Sequence, residues 1–255
     1  MKRILTFILT LTLALSFCVN SFAAATTATA SETQTGTSEA QTDTSKTQAD
    51  TSEAQTDTSK VQAGASYGIS NLSGAPDIVA ESAVVMDANT GTILYGKEAD
   101  TKRYPASITK VMTALLAVEN CKMSDVITYS NAAVNGIEAG SSTAGINVGA
   151  KLTVEDSLYA LMLVSTNEAA AAIAEHISGS TTEFAKLMTK RAKELGCTNT
   201  QFKNPHGLPN EEHYTTAHDM GLILKEAMKH EEFRIISGTI SYTLKKSDTL
   251  KDTLE

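Results

Sequence analysis

Basic residues are scarce in this chain. Its 21 lysines and arginines face 29 aspartates and glutamates, a net charge of −8 over 255 residues. With no basic stripe either, nucleic acid is excluded as a partner. Cysteine is as thin: besides Cys18 near the N-terminus there are only Cys121 and Cys197, 76 residues apart. Two isolated thiols make no disulfide framework, and both read as small core residues. Long apolar runs are missing too. The one candidate, Ile4 to Phe17, is too short for a bilayer span and is diluted by Thr6, Thr10, Thr12 and Ser16. It follows Lys2 and Arg3 and leads to the small-x-small site Ser21-Phe22-Ala23, so residues 1–23 read as a secretory signal and the protein as exported. Bulky Phe17 ahead of Cys18 argues against a lipoprotein site. Removing the signal leaves 19 basic residues against 29 acidic, a net of −10.

Residues 24–75 lack aromatics almost entirely, and residues 30–64 hold five copies of a seven-residue unit such as Thr51-Ser-Glu-Ala-Gln-Thr-Asp57. No two positions of the unit are apolar, so there is no coiled-coil seam to bury. Composition of this kind cannot offset the entropy of ordering, and the segment reads as a disordered tether.

A domain is expected over residues 76–255. Glu81–Asp87 and Gly91–Lys97 read as an antiparallel hairpin around Asp87-Ala-Asn-Thr-Gly91. Pro105 suits the first turn of a helix with Ile108, Val111, Met112, Leu115 and Leu116 at offsets 0, 3, 4, 7 and 8, its other faces small enough for burial on most sides. Thr153 with Asp156 opens a second helix, and a third runs from Glu168 through His176 towards Gly179. Ser180-Thr-Thr-Glu183 caps a fourth that stops at Gly196, and a fifth spans about 217–229. Thr239 to Lys246 alternates like a strand. The order predicts an α+β fold in which helices interrupt a sheet.

The chemistry concentrates in Ser107-Ile108-Thr109-Lys110. A serine and a lysine three apart on a helix share a face, the spacing an amine needs to take a proton from a hydroxyl. Roughly one Ser-x-x-Lys arises by chance in a chain of this length, so the context decides. Burial would lower the Lys110 pKa and make a neutral amine available. Ser165-Thr166-Asn167 follows 58 residues later at a helix junction, where a hydroxyl and an amide two apart can face one cleft. As plain capping residues these would be ordinary. Both elements in this order inside an exported α+β chain are not.

With these residues in view, the chain from about Val79 onward resembles the low-molecular-mass penicillin-binding proteins, the serine D-alanyl-D-alanine carboxypeptidases of the peptidase S11 family. The likeness includes Val84-Val-Met-Asp-Ala-Asn-Thr-Gly91, Pro105-Ala-Ser-Ile-Thr-Lys110-Val-Met-Thr113 and Gly149-Ala-Lys-Leu-Thr-Val-Glu-Asp-Ser-Leu-Tyr159. It continues through Ser165-Thr-Asn167, Phe202-Lys-Asn-Pro-His-Gly-Leu208 and His213-Tyr-Thr-Thr-Ala-His-Asp-Met220. The resemblance implies a β-lactamase/transpeptidase-like fold, an antiparallel sheet with an inserted helical subdomain. It implies that Ser107 attacks the penultimate D-alanine of a peptidoglycan stem peptide while Lys110 takes its proton. Ser165 would relay a proton to the departing D-alanine, Asn167 would orient Lys110 and the substrate, and the Ser107 amide would supply half of an oxyanion hole. β-Lactams would acylate the same serine. No cofactor and no metal is implied.

The family's third motif, Lys-Thr/Ser-Gly, does not appear in these 255 residues; Lys245-Lys246-Ser247-Asp248 lacks its glycine. The resemblance places that motif, the remaining sheet strands and any C-terminal anchor for peripheral membrane association after Glu255, so the chain is expected to be an N-terminal part of a longer enzyme. Three rivals stand beside this reading. A class A-like β-lactamase needs a Glu-x-x-Leu-Asn loop, which is absent, and Glu168 reads more simply as a helix N-terminal acid. A zinc peptidase is suggested by His206, His213 and His218, whose spacing fits no short motif. An inactive wall-associated fragment is opposed by the intact Ser107, Lys110, Ser165 and Asn167.

Overall fold

A computed structural model describes residues 78–244. The signal, the tether with its repeats, and residues 245–255 lie outside the described residues.

The expected hairpin is present. Strands β1 (Ala83–Met86) and β2 (Ile93–Lys97) pair antiparallel, with a register irregularity between Val85 and Met86. Asp87 shapes the turn: its Oδ1 accepts from the amides of Asn89 and Thr90 and from the Thr90 hydroxyl. These bonds hold the Asp87 carboxyl below its ordinary range, the Thr90 amide first among them.

A 3-10 turn (Ala106–Thr109) leads into α1 (Lys110–Asn120). Met112, Ala114, Leu115, Leu116 and Ala117 are buried, as the mixed apolar faces of this helix require. Ile108 departs from expectation: it sits in the 3-10 turn, not in the helix, and is 53% exposed. Next come β3 (Val126–Thr128), α2 (Asn131–Asn135), β4 (Lys151–Thr153) and α3 (Val154–Leu163). The β3–β4 pair, which the sequence reading missed, sets buried Ile127 opposite buried Leu152.

Local capping chemistry fixes the ends of the following helices. The Thr153 hydroxyl accepts from the Asp156 amide to start α3, and Ser180 does the same from Glu183 to start α5 (Thr181–Glu194). Between them α4 (Asn167–Ser178) ends at Gly179 in the left-handed region, φ 75°. Its run Ala169–Ala174 is wholly buried, small side chains letting α1, α2, α3 and α5 pack against it. Helix α6 (Ala217–Ala227) packs on both α1 and β1, tying the hairpin to the helices.

A short helix α7 (Glu231–Gly238) was not anticipated, and the strand expected from Thr239 is not formed through Leu244. Its side chains turn to α3 instead: Tyr242 stacks on Tyr159 at 3.7 Å between ring centroids and donates to Asp156 Oδ1 at 2.7 Å. Leu244 is buried. Among the described residues no helix is long and apolar enough to cross a membrane.

Candidate active site

The backbone shapes the Ser107 turn before any side chain contributes. Pro105 is the N-cap of the 3-10 turn, and Ala106 follows in the left-handed region with φ 49°, a strained setting for alanine. Ser107 is thereby left exposed at the turn, while Lys110, at the first position of α1, is only 3% exposed. Lys110 Nζ lies 3.2 Å from Ser107 Oγ and donates to the His206 carbonyl oxygen at 2.9 Å. Burial brings the Lys110 pKa down to about 8, against the opposing charge of Glu168. About a tenth of the amine is then neutral at pH 7.

A loop far along the chain forms the back of this turn. Asn204 closes it, its Oδ1 accepting from the amides of His206 and Gly207 and its Nδ2 donating to the Leu208 carbonyl. The Thr113 hydroxyl donates to the Pro205 carbonyl at 2.6 Å. Gly207, with φ +88°, approaches so closely that an added Cβ would stand 1.8 Å from the Ala106 carbonyl oxygen. Only glycine fits there.

His213 completes the support. Its Nδ1 accepts from the Lys203 amide, so the proton resides on Nε2, which donates to Thr109 Oγ1 at 2.9 Å. Burial lowers the pKa of both His206 and His213 to about 4, with Lys110 and then His213 adding to the effect on His206. Both rings are therefore neutral near pH 7 and add no cation beside Lys110.

Ser165 and Asn167 sit where expected, at the junction of α3 and α4. Ser165 holds φ 59°, and Asn167 is buried with its backbone N–H donating to the Ser142 carbonyl at 3.0 Å. Among the described residues, Ser165 Oγ, Thr166 Oγ1 and Glu168 Oε2 are buried without a hydrogen-bond partner. No direct hydrogen bond joins this turn to Ser107 or Lys110. Packing of α1 on α3 and α4, and the charge of Glu168 felt at Lys110, connect the two. Glu168 is in the first turn of α4, as an N-terminal acid should be, but it also reaches across to residues 143–146.

The three histidines of the zinc reading do not converge as ligands. His206 Nδ1 accepts from the Leu208 amide, both His213 nitrogens are engaged, and His218 Nδ1 meets Asp100 at 3.0 Å. Among the described residues the one gathering of ligand-type atoms is Glu119, Glu226 and His230, and the Arg191 guanidinium is already paired with both carboxylates. The support from Asn204–Gly207 and His213 was missed in the sequence. Its available signal was Thr109 and Thr113, hydroxyls four positions apart flanking the start of α1 beside its apolar run.

A serine hydroxyl beside a buried lysine amine is an arrangement chemically able to form an acyl-enzyme. A family model described as D-alanyl-D-alanine carboxypeptidase, Peptidase_S11, matches residues 70–254, and the chain belongs to this family. It is 41% identical to D-alanyl-D-alanine carboxypeptidase DacF of Bacillus subtilis (strain 168) over 177 residues, which are 68% of this chain and 45% of that protein. It is 35% identical to D-alanyl-D-alanine carboxypeptidase DacA of Haemophilus influenzae over 169 residues, 64% of this chain and 43% of that one. The chain thus spans less than half the length of these relatives. Among solved structures, the DD-transpeptidase of Streptomyces K15 matches with a TM-score of 0.65 at 35% identity, covering 71% of this chain and 74% of that one. The α+β fold of the β-lactamase/transpeptidase type follows from such matches.

Proposed function

We propose that this chain carries the nucleophile and proton-transfer groups of a serine-type D-alanyl-D-alanine carboxypeptidase. Neutral Lys110 accepts the Ser107 proton as Oγ bonds to the carbonyl carbon of the penultimate D-alanine. The C–N bond to the terminal D-alanine then breaks, and its nitrogen takes a proton through Ser165. Asn167 orients Lys110 and the substrate backbone. Water cleaves the ester and restores Ser107. A β-lactam follows the same first step, its ring amide opening onto Oγ. The reading rests on one observation: a buried amine 3.2 Å from an exposed serine hydroxyl, the burial lowering its pKa. The names of the relatives supply the substrate class.

In this reading residues 1–23 direct export, residues 24–75 form a tether, and residues 76–255 belong to the catalytic domain acting outside the cytoplasm, at the wall. Incubation of the chain with a fluorescent penicillin tests it. The expected result is a stable adduct of the ring-opened antibiotic, its whole mass retained, on the Ser107 peptide, absent in Ser107→Ala. An adduct on another residue, or none, overturns the reading. Rapid release of hydrolysed antibiotic from Ser107 would instead favour a β-lactamase.

A further inference from the structure

The Ser165 turn has little of its own to hold it. Ser165 is in the left-handed region at φ 59°, and both adjoining hydroxyls, Ser165 Oγ and Thr166 Oγ1, are buried without partners among the described residues. The backbone bonds that enter the turn are long, Val164 N–H to the Ala160 carbonyl at 3.4 Å and Thr166 N–H to the same oxygen at 3.3 Å. A strained conformation persists only where its surroundings over-determine it. Those surroundings are the segment from Ser142 to Ile146, which is fastened to the start of α4 from two directions. The Asn167 backbone N–H donates to the Ser142 carbonyl at 3.0 Å. Glu168 Oε1, on a side chain only 2% exposed, gathers the Thr143 hydroxyl at 2.5 Å, the Ala144 amide at 2.8 Å and the Ile146 amide at 3.4 Å.

We propose that Glu168 is a positioning residue for the reaction: its buried carboxylate draws the 142–146 segment onto the turn that presents Ser165 and Asn167, and so fixes those two side chains for proton transfer. A carboxylate suits this task because one oxygen can accept several donors and charge-assisted bonds are the stronger ones. The α4 N-terminus favours its negative charge. The same charge reaches Lys110. It raises the Lys110 pKa against the larger effect of burial. The other groups facing this pair are neutral in the working range: His206, whose pKa is about 4, and Tyr129, whose hydroxyl burial pushes above the ordinary phenol range.

The assignment of roles to Ser165 and Asn167 rests on the function proposed above, so the test reads the latch and the reaction separately. Glu168→Ala and Glu168→Gln are made in the full chain. Amide hydrogen exchange and the rate of Ser107 acylation by a fluorescent penicillin are measured from pH 5 to pH 10. In Glu168→Ala, exchange at Ala144 and Ile146 should quicken about tenfold or more while Leu116 in α1 is unchanged, and acylation should slow about tenfold to a hundredfold. Glu168→Gln keeps an accepting oxygen and should restore much of the amide protection. Its acid limb of acylation should nonetheless move to lower pH, because Lys110 loses the charge that raised its pKa. A purely structural role would not move that limb. Unchanged exchange at Ala144 and Ile146 in Glu168→Ala overturns the latch. Faster exchange with an unaltered acylation rate overturns the positioning role. If the unmutated chain forms no adduct at all, the functional reading falls, and the exchange result still decides the latch.

Discussion

The two turns that carry the candidate residues are built in opposite ways. Around Ser107 the buried polar atoms have partners: Lys110 Nζ meets the His206 carbonyl, Thr113 the Pro205 carbonyl, and Thr109 the His213 ring. Around Ser165 the hydroxyls of Ser165 and Thr166 are buried with none among the described residues, and the anchoring falls to the neighbour Glu168. Both turns contain a non-glycine residue at positive φ, Ala106 in one and Ser165 in the other. Strain alone therefore does not separate them; what separates them is whether the local side chains help to hold it. The first turn is a well-anchored seat, which suits the residue proposed as the nucleophile. The second leaves a hydroxyl uncommitted, which suits a group proposed to hand a proton on.

The largest effect should come from removing the amine at the well-anchored seat. In Lys110→Met the side chain keeps its bulk and loses its base. Acylation of Ser107 should drop by about a thousandfold, within the usual range for a positioned general base. Stability should fall by about 1–3 kcal/mol, because the bonds from Nζ to the His206 carbonyl and to Ser107 Oγ are lost and the carbonyl is left unpaired. In the unmutated chain the acylation rate should climb as pH rises through about 8, the value to which burial brings Lys110, since the neutral amine is the form that accepts the proton. A stopped-flow pH profile that is flat from 6 to 9 would remove Lys110 as the base.

Next comes the backbone contact behind that seat. Gly207→Ala puts a methyl group into a left-handed position whose Cβ direction points at the Ala106 carbonyl, 1.8 Å away. Backbone atoms on both sides must shift, and the expected loss is about 3 kcal/mol, read as a lower urea midpoint, with acylation impaired in the fraction that remains folded. An unchanged midpoint would mean that the 204–208 loop is not seated on the Ser107 turn.

Much of this organisation was legible locally. Thr153, Ser180 and Gly179 announce helix ends because their side chains or backbone freedom act on atoms within four residues. Ser107 and Lys110 were legible for the same reason, three positions apart. What escaped depends on contacts between distant segments. The β3–β4 pair joins two runs of three residues each, too short to show a period. The loop at Asn204–Leu208 meets α1 across more than ninety positions, as the Thr113–Pro205 bond does. The strand expected from Thr239 failed because alternation predicts an extended chain, whereas a strand also requires a neighbour; through Leu244 the side chains pack on α3 instead. Glu168 was read correctly as a helix N-terminal acid, but its reach to residues 143–146 could not be seen from position alone.

The smallest effects sharpen the comparison most, because one substitution can be made in both turns. Threonine to valine exchanges a hydroxyl for a methyl group of similar shape. At Thr109 it removes the acceptor for His213 Nε2–H and leaves that buried donor unpaired, a loss of about 1–3 kcal/mol. At Thr166 the hydroxyl is buried without a partner among the described residues and makes no cap bond to the helix it precedes, so there is little to lose. Burying a methyl in place of an unpaired hydroxyl is favourable, and Thr166→Val should leave the unfolding free energy read from the urea transition unchanged or raise it by up to about 1 kcal/mol. Equal losses at the two positions would show that the Thr166 hydroxyl is bonded in solution and that the two turns are held in the same way.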